Sequence, residues 1–350
     1  MKITKEMGII PKNTTITSGE PIFIEATHEP IKIYGFDHPY VRIPEEVGKN
    51  TSPEVERLGR MSTGCVIRFK TDSDYIVVHA DVGYSDPIGL MSPLASHAFD
   101  IYFYEDGKYI FKGSFVPSQG EGKDYVESRL RFDGKMHDVV IACPIKSYLT
   151  DISIALRCGC EILPPSPYKY EKPVVFYGSS IVHGIGAGRP GMVYPLIISR
   201  MLDTSIRNLG FSGAARAEDA ILDYICGLDM SVFVYDYDHN APTPEYLEKT
   251  HFAGYKRFRK AQPTTPIVMA TRPDYHADPE RCEKFRQIIE ANYKKALDEG
   301  DTLVSFVDGR YMYDADWRNE LTSDNCHPND AGYIAMAKAI GEKVRQYIEK

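Results

Sequence analysis

Two polar segments of the C-terminal half hold residue types that together could carry acyl-transfer chemistry. In Tyr177-Gly178-Ser179-Ser180-Ile181 a glycine and two small hydroxyls follow an apolar run directly, where a strand must turn into a helix. A serine at such a turn is exposed as a nucleophile. It also sits among backbone N–H groups without intrahelical partners, which can steady the oxyanion formed when it attacks a carbonyl. A plain serine cap of the helix is the simpler use of the same residues. Far downstream, Ser323-Asp324-Asn325-Cys326-His327-Pro328-Asn329-Asp330 is a polar loop, and Pro328 and Asn329 start the last helix. Asp324 and His327 are close enough for the carboxylate to fix the imidazole tautomer while the other ring nitrogen points at a hydroxyl. A capping aspartate and a surface histidine would be the plainer reading.

Two more segments offer neutral hydrogen-bond donors. Asn208-Leu209-Gly210-Phe211-Ser212-Gly213 and Tyr235-Asp236-Tyr237-Asp238-His239-Asn240-Ala241-Pro242 each follow an apolar run. A glycine N–H and an asparagine amide suit an oxyanion hole. Turn glycines and an Asx turn before proline are their ordinary roles.

The elements that must position these groups follow from periodicity. After residue 172 short apolar runs alternate with helical patterns: Val174 to Tyr177, Ser205 to Leu209, Val232 to Tyr235, Ile267 to Ala270 and Leu303 to Val307 as strands. Tyr194 to Met201, Glu218 to Ile225, and 245 to 262, 279 to 298 and 330 to 348 are the helices. Such alternation predicts a doubly wound (flavodoxin-like) α/β fold with a parallel five-stranded sheet, whose ligand site lies beyond the carboxyl ends of the strands. All four segments fall on that edge.

The first half has a different rhythm. Ile31 and Ile33, Cys65 to Phe69, Tyr75 to His79 and Phe99 to Phe103 alternate with period two, punctuated by turn signals such as Glu105-Asp106-Gly107. No sustained helical stripe interrupts them, which predicts an all-β sandwich or jelly roll. The proline-rich Leu163-Pro164-Pro165-Ser166-Pro167-Tyr168 marks the change of pattern. The expected organisation is a sandwich over 1–162, a linker over 163–172 and a catalytic domain over 173–350.

Taken together and in this order, the four segments resemble the SGNH (GDSL-type) hydrolase family over residues 172 to 350. The resemblance implies a nucleophile at Ser180, a general base at His327 and its orienting partner at Asp324. It implies oxyanion donors at Gly213, Asn240 and the Ser180 backbone N–H. The chain departs from the family where Gly178-Ser179-Ser180 replaces Gly-Asp-Ser and Asp238-His239-Asn240-Ala241 replaces Gly-x-Asn-Asp. The stretch GSSIVHGIGAGRPGMVYP is similar to the subgroup of SGNH esterases with an N-terminal sandwich. That subgroup carries a Gly-x-Asp-Leu-Tyr signature, to which Ala98-Phe99-Asp100-Ile101-Tyr102 is similar.

By that resemblance the chain is expected to be an esterase or acylhydrolase, acting through an acyl-enzyme on short, chiefly acetyl, esters of a carbohydrate or small molecule. An acyltransferase would use the same residues, and a carbohydrate-binding protein with an inactive hydrolase domain is the reading from another class. No metal or organic cofactor is implied. His183 and Arg189, in the loop after the nucleophile, His239 beside Asn240, and the lone Trp317 are candidates for substrate contact. Asp236 and Asp238 stand two apart, but without a third carboxylate at a suitable spacing they do not suggest a cation site. Tyr102, Phe103, Tyr104 and Tyr109 are first of all strand formers.

Composition narrows the partners. With 41 Lys and Arg against 49 Asp and Glu, the chain would repel a polyanion, so nucleic acid is not expected. No apolar run is long enough to span a bilayer, and the start MKITKEMGIIPKNTT lacks the apolar core of a secretory signal, giving a cytoplasmic expectation. Seven cysteines, an odd number scattered through apolar stretches, suit reduced thiols. A homo-oligomer is compatible with all of this.

Overall fold

The computed structural model describes residues 1–85, 89–116 and 124–350. The chain forms two compact units. The first comprises Met1–Arg42, Arg60–Tyr168 and Gly188–Gly191; the second comprises Ile43–Gly59, Lys169–Ala187 and Met192–Lys350.

In the first unit the described strands are β1 (Ile22–Glu25), β2 (Lys32–Tyr34), β3 (Val66–Thr71), β4 (Tyr75–Ser85), β5 (Phe99–Glu105), β6 (Lys108–Phe115), β7 (Tyr125–Arg131), β8 (His137–Ala142), β9 (Ser147–Leu156) and β10 (Ile162–Leu163). They pair antiparallel into two sheets, β1-β9-β4-β7 and β10-β3-β8-β5-β6, with β2 beside β3. Ile24, Ile76, Val78 and Ile154 of one sheet share a core with Ile67, Phe69, Ile101, Phe103, Val139 and Ile141 of the other. Alternation along each strand sends every second side chain to that core. On β4 the residues Tyr75 and Val77, which with His79 make up the alternation read in the sequence, turn to the other face and pack with Phe23 and Ala155. Both faces of that strand are apolar, so period two alone could not say which was inner.

Two short helices, α1 (Glu45–Thr51) and α2 (Pro53–Gly59), correct the expectation that residues 43–59 belong with the sandwich. Their Val55 and Leu58 join the core of the second unit. Seven residues each are too few to show a helical stripe in sequence. A third short helix, α3 (Pro93–His97), capped by Ser92, leads into β5.

The second unit contains β11 (Tyr170–Gly178), α4 (Ser180–His183), α5 (Tyr194–Leu202), β12 (Thr204–Gly210), α6 (Asp219–Cys226), β13 (Val232–Asp236), α7 (Pro244–Ala261), β14 (Ile267–Ala270), α8 (Pro279–Asp298), β15 (Val304–Val307) and α9 (Asp330–Ile348). The sheet is parallel throughout, in the order β12-β11-β13-β14-β15. This is the doubly wound five-stranded sheet that the alternation predicts. β13 and β14 are buried along their whole length, as continuous apolar runs in a sheet covered on both faces require.

Candidate active site

The end of β11 delivers Ser180. Ser179 caps α4, its Oγ accepting from Ile181 N at 3.2 Å, so the residue that stands where the family has aspartate still closes the turn. Tyr333 on α9 holds this turn from behind, its hydroxyl donating to the carbonyls of Ile181 and Ile185 at 3.0 and 2.8 Å. At the end of β12, Asn208 Nδ2 donates to Val182 O and Asn208 Oδ1 accepts from Gly210 N, both at 2.8 Å. The backbone around Ser180 is thereby fixed from two other elements. Neither Tyr333 nor the side-chain use of Asn208 stood out in the sequence, because both act on backbone groups.

The loop before α9 brings His327 to Ser180. His327 Nε2 lies 2.9 Å from Ser180 Oγ, and His327 Nδ1 lies 2.8 Å from Asp324 Oδ2. With Nδ1–H facing the carboxylate, Nε2 is left to accept the serine proton. Asp324 Oδ1 also accepts from the backbone N–H of His327 and Cys326 at 2.7 and 3.1 Å. Burial alone would raise the Asp324 pKa, but these hydrogen bonds and His327 hold it below the usual carboxylate range. The loop closes on itself through Ser323 N to His327 O at 2.8 Å, and Asn329 caps α9 by accepting from Ala331 N and Gly332 N. Gly186 passes so close that a Cβ there would meet Pro328 O at 2.5 Å and His327 Cβ at 3.1 Å. Only glycine lets the chain after α4 approach the histidine in this way.

Gly213 and Asn240 come to the same edge. Gly213 adopts φ +74°, the left-handed region, in the turn after β12, where Ala214 N and Ala215 N both bond back to Phe211 O. Asn240 ends a single turn at Asp238–Asn240, and its Nδ2 donates to Phe211 O at 3.0 Å. One amide hydrogen is thus spent on aiming the group at the 211–213 turn, and the second remains to donate.

The candidates for substrate contact fare differently. His183 is wholly buried in α4 rather than lying in a loop, so its ring is not offered to a ligand at the surface. Arg189 is already engaged within the first unit, donating to Asp100 Oδ2 at 2.6 Å and to Tyr102 Oη at 2.5 Å, with its guanidinium 4.0 Å from the Phe111 ring centroid. Asp100, fully buried, also accepts from Gly191 N and Ser114 Oγ, which explains the aspartate and tyrosine of the Ala98–Tyr102 segment as structural anchors. Trp317 is 65% exposed and lines a groove with Tyr311, Leu321, Ile334 and Lys338.

His239 sits in a cluster that the sequence did not reveal. Its Nε2 lies 2.9 Å from Asp274 Oδ1 in the loop after β14, and Arg272 clamps Asp274 with Nε at 2.9 Å and Nη2 at 2.6 Å. Burial would push Asp274 up; His239 and Arg272 together hold it far below the carboxylate range. Arg272 N donates to Asp238 Oδ2 at 3.1 Å, while Asp236 accepts from Tyr194 Oη at 2.9 Å and is pushed well up by burial and by Asp238. The available hint was Thr271-Arg272-Pro273-Asp274, a polar segment directly after a strand.

The comparisons with known proteins bear on family and fold. The GDSL-like lipase/acylhydrolase family matches residues 171–345, and the N-terminus of SGNH-hydrolase-type esterases matches residues 23–162. The chain belongs to the GDSL-like lipase/acylhydrolase family. It is an enzyme of the carboxylic ester hydrolase kind. Among solved structures, a protein described as a GDSL-like lipase from Bacteroides ovatus superposes with TM-score 0.84 at 23% identity, covering 94% of this chain and 98% of that one. A salicylyl-acyltransferase of a tetracycline biosynthetic pathway has TM-score 0.74 at 18% identity, covering 94% and 97%. A family two carbohydrate esterase from Clostridium thermocellum, in complex with cellohexaose, has TM-score 0.62 at 14% identity, covering 91% and 99%. No curated protein sequence matches. Among the described residues, no helix of this family member is long and apolar enough to cross a membrane.

Proposed function

We propose that the chain is a serine esterase that removes a short acyl group, acetyl in the first place, from a carbohydrate or related small molecule. The observation that carries this reading is the unbroken run from Ser180 Oγ to His327 Nε2 at 2.9 Å and from His327 Nδ1 to Asp324 Oδ2 at 2.8 Å. His327 takes the serine proton as Oγ attacks the ester carbonyl, and Asp324 stabilises the resulting imidazolium. The Ser180 N–H, the Gly213 N–H and Asn240 Nδ2 receive the oxyanion. Collapse expels the alcohol, which takes the proton from His327 and leaves an acyl-Ser180 ester. Water, deprotonated by His327, then attacks that ester; the acid leaves and Ser180 regains its proton. The carbohydrate esterase likeness supports a sugar as the alcohol.

An acyltransferase is the second reading, favoured by the likeness to the salicylyl-acyltransferase over nearly the whole chain. It differs only in the nucleophile that resolves the acyl-enzyme. The intact relay argues against a binding protein that has lost activity. Release of p-nitrophenol from acetyl, butyryl and octanoyl esters by wild type and Ser180→Ala tests the proposal, with cellobiose added as an acceptor. Hydrolysis falling with acyl length and lost by about 10⁶-fold in the variant is the expected result. Acetyl passing to the sugar would favour the transferase, and absence of any Ser180-dependent turnover would overturn both readings.

A further inference from the structure

Beside the loop that carries His327, three potential metal ligands converge without forming any pattern in sequence. His239, Asp274 and Cys326 each present one ligand atom, and these atoms lie within 4.8 Å of one another. They come from the turn after β13, the loop after β14 and the loop before α9. We propose that these three side chains bind a soft divalent cation of the zinc type, and that the bound ion inhibits the enzyme by drawing the Cys326–His327 segment away from Ser180.

Donor chemistry selects the metal. Imidazole, carboxylate and thiolate together suit Zn²⁺ or Co²⁺, whereas Mg²⁺ and Ca²⁺ require oxygen ligands. At bond lengths of about 2.0–2.3 Å, tetrahedral ligand atoms stand roughly 3.3–3.8 Å apart. His239 Nε2 and Asp274 Oδ1 are already 2.9 Å apart, bridged by a proton that the ion would replace. The proton on Nε2 moves to Nδ1, the Cys326 thiol loses its proton to solvent, and a pair of ligand atoms at the 4.8 Å limit must close by about 1 Å. Arg272 plays the supporting part that outer-shell groups play at metal sites, holding Asp274 in place, but its charge weakens the site compared with a resident structural zinc.

Independent observations point to a ligand here. Tyr313 is 5% exposed, and its hydroxyl has no hydrogen-bond partner among the described residues. It lies near enough to Asp274 and Cys326 for both to perturb it. A water completing a tetrahedral ion would give that hydroxyl a partner. Asp238 Oδ1, fully buried in the same cluster, likewise has none among the described residues. Buried polar groups of native proteins are rarely left in this state.

The consequence for activity follows from the chain. Cys326 immediately precedes His327, whose Nε2 stands 2.9 Å from Ser180 Oγ, so a shift of this segment onto the ion would disturb that contact. This inhibitory half rests on the esterase reading; the binding half does not.

Co²⁺ is the probe for binding. Added to the full chain, it should give a thiolate-to-cobalt charge-transfer band in the near ultraviolet that is absent in Cys326→Ser and much weakened in His239→Gln. Zn²⁺ should slow p-nitrophenyl acetate hydrolysis by wild type about tenfold or more, reversibly with EDTA, and should slow Cys326→Ser by less than about twofold relative to that variant's own metal-free rate. No cobalt band in wild type would overturn the site. So would an undiminished band in His239→Gln, because the ion would then sit on Asp324, Cys326 and His327 instead. Equal inhibition of Cys326→Ser by Zn²⁺ would overturn the inhibitory mechanism. Should the chain hydrolyse none of the esters, the cobalt band still decides the site.

Discussion

The second unit contains two histidine–aspartate pairs of nearly equal length that differ in what else holds the carboxylate. His327 and Asp324, 2.8 Å apart, are 19% and 28% exposed, and Asp324 is otherwise held by neutral backbone N–H groups. His239 and Asp274, 2.9 Å apart, are 9% and 2% exposed, and Asp274 is clamped twice by a guanidinium. Neutral donors leave Asp324 its charge with which to stabilise an imidazolium. Asp274 instead divides its oxygens between His239 and the Arg272 guanidinium, so the carboxylate is shared with a permanent cation. The same two residue types therefore face a serine hydroxyl in one place and a guanidinium in the other. What else holds the carboxylate, and not the presence of the pair, separates them.

Replacing each aspartate by asparagine is the strongest way to break the comparison. Asp324→Asn should lower kcat by about 10⁴-fold, as removal of a relay carboxylate does, with the fold intact by circular dichroism. Asp274→Asn should leave kcat within roughly tenfold but cost about 3–5 kcal/mol of stability in urea unfolding, because Arg272 is then buried without its partner. Equal kinetic losses in the two variants would erase the distinction. Asn240→Ala should follow, lowering kcat about 10²–10³-fold with little change in KM, since an oxyanion donor acts in the transition state.

Acid sharpens the comparison further. Asp274 is held far below its unfolded value of about 3.9, so its stabilisation is complete above that pH and is lost as pH falls toward the folded value. The stability gap between wild type and Asp274→Asn should stay constant from about pH 7 to 5 and narrow below about pH 4. A third histidine extends the comparison to a ring held by burial. His251 on α7 has no carboxylate partner among the described residues; it stacks on Tyr235 with ring centroids 4.8 Å apart, and Asn292 Nδ2 donates to its Nδ1. Burial pushes its pKa down to about 3, so the unfolded chain binds the proton first. Stability should fall as pH drops from about 6.5 toward 3, by at most about 1.4 kcal/mol per pH unit, and His251→Phe should flatten that slope in pH-dependent denaturation.

Sequence periodicity determined the α/β architecture of the second half, because each strand and helix writes its own burial pattern into neighbouring residues. It also placed Ser180, Gly213, Asn240, Asp324 and His327 beyond the carboxyl ends of strands, an edge set by the alternation of elements alone. The short helices of residues 43–59 escaped it, being too brief to repeat a stripe and carrying few apolar residues. The engagement of Arg189 by Asp100 and the triple grouping of His239, Asp274 and Cys326 were decided only by the tertiary structure. Asp100 and Arg189 are 89 residues apart, and His239 and Asp274 are 35 apart. No local propensity relates residues at such separations. Their meeting depends on which strands the sheet places side by side and on how the loops beyond them fold back.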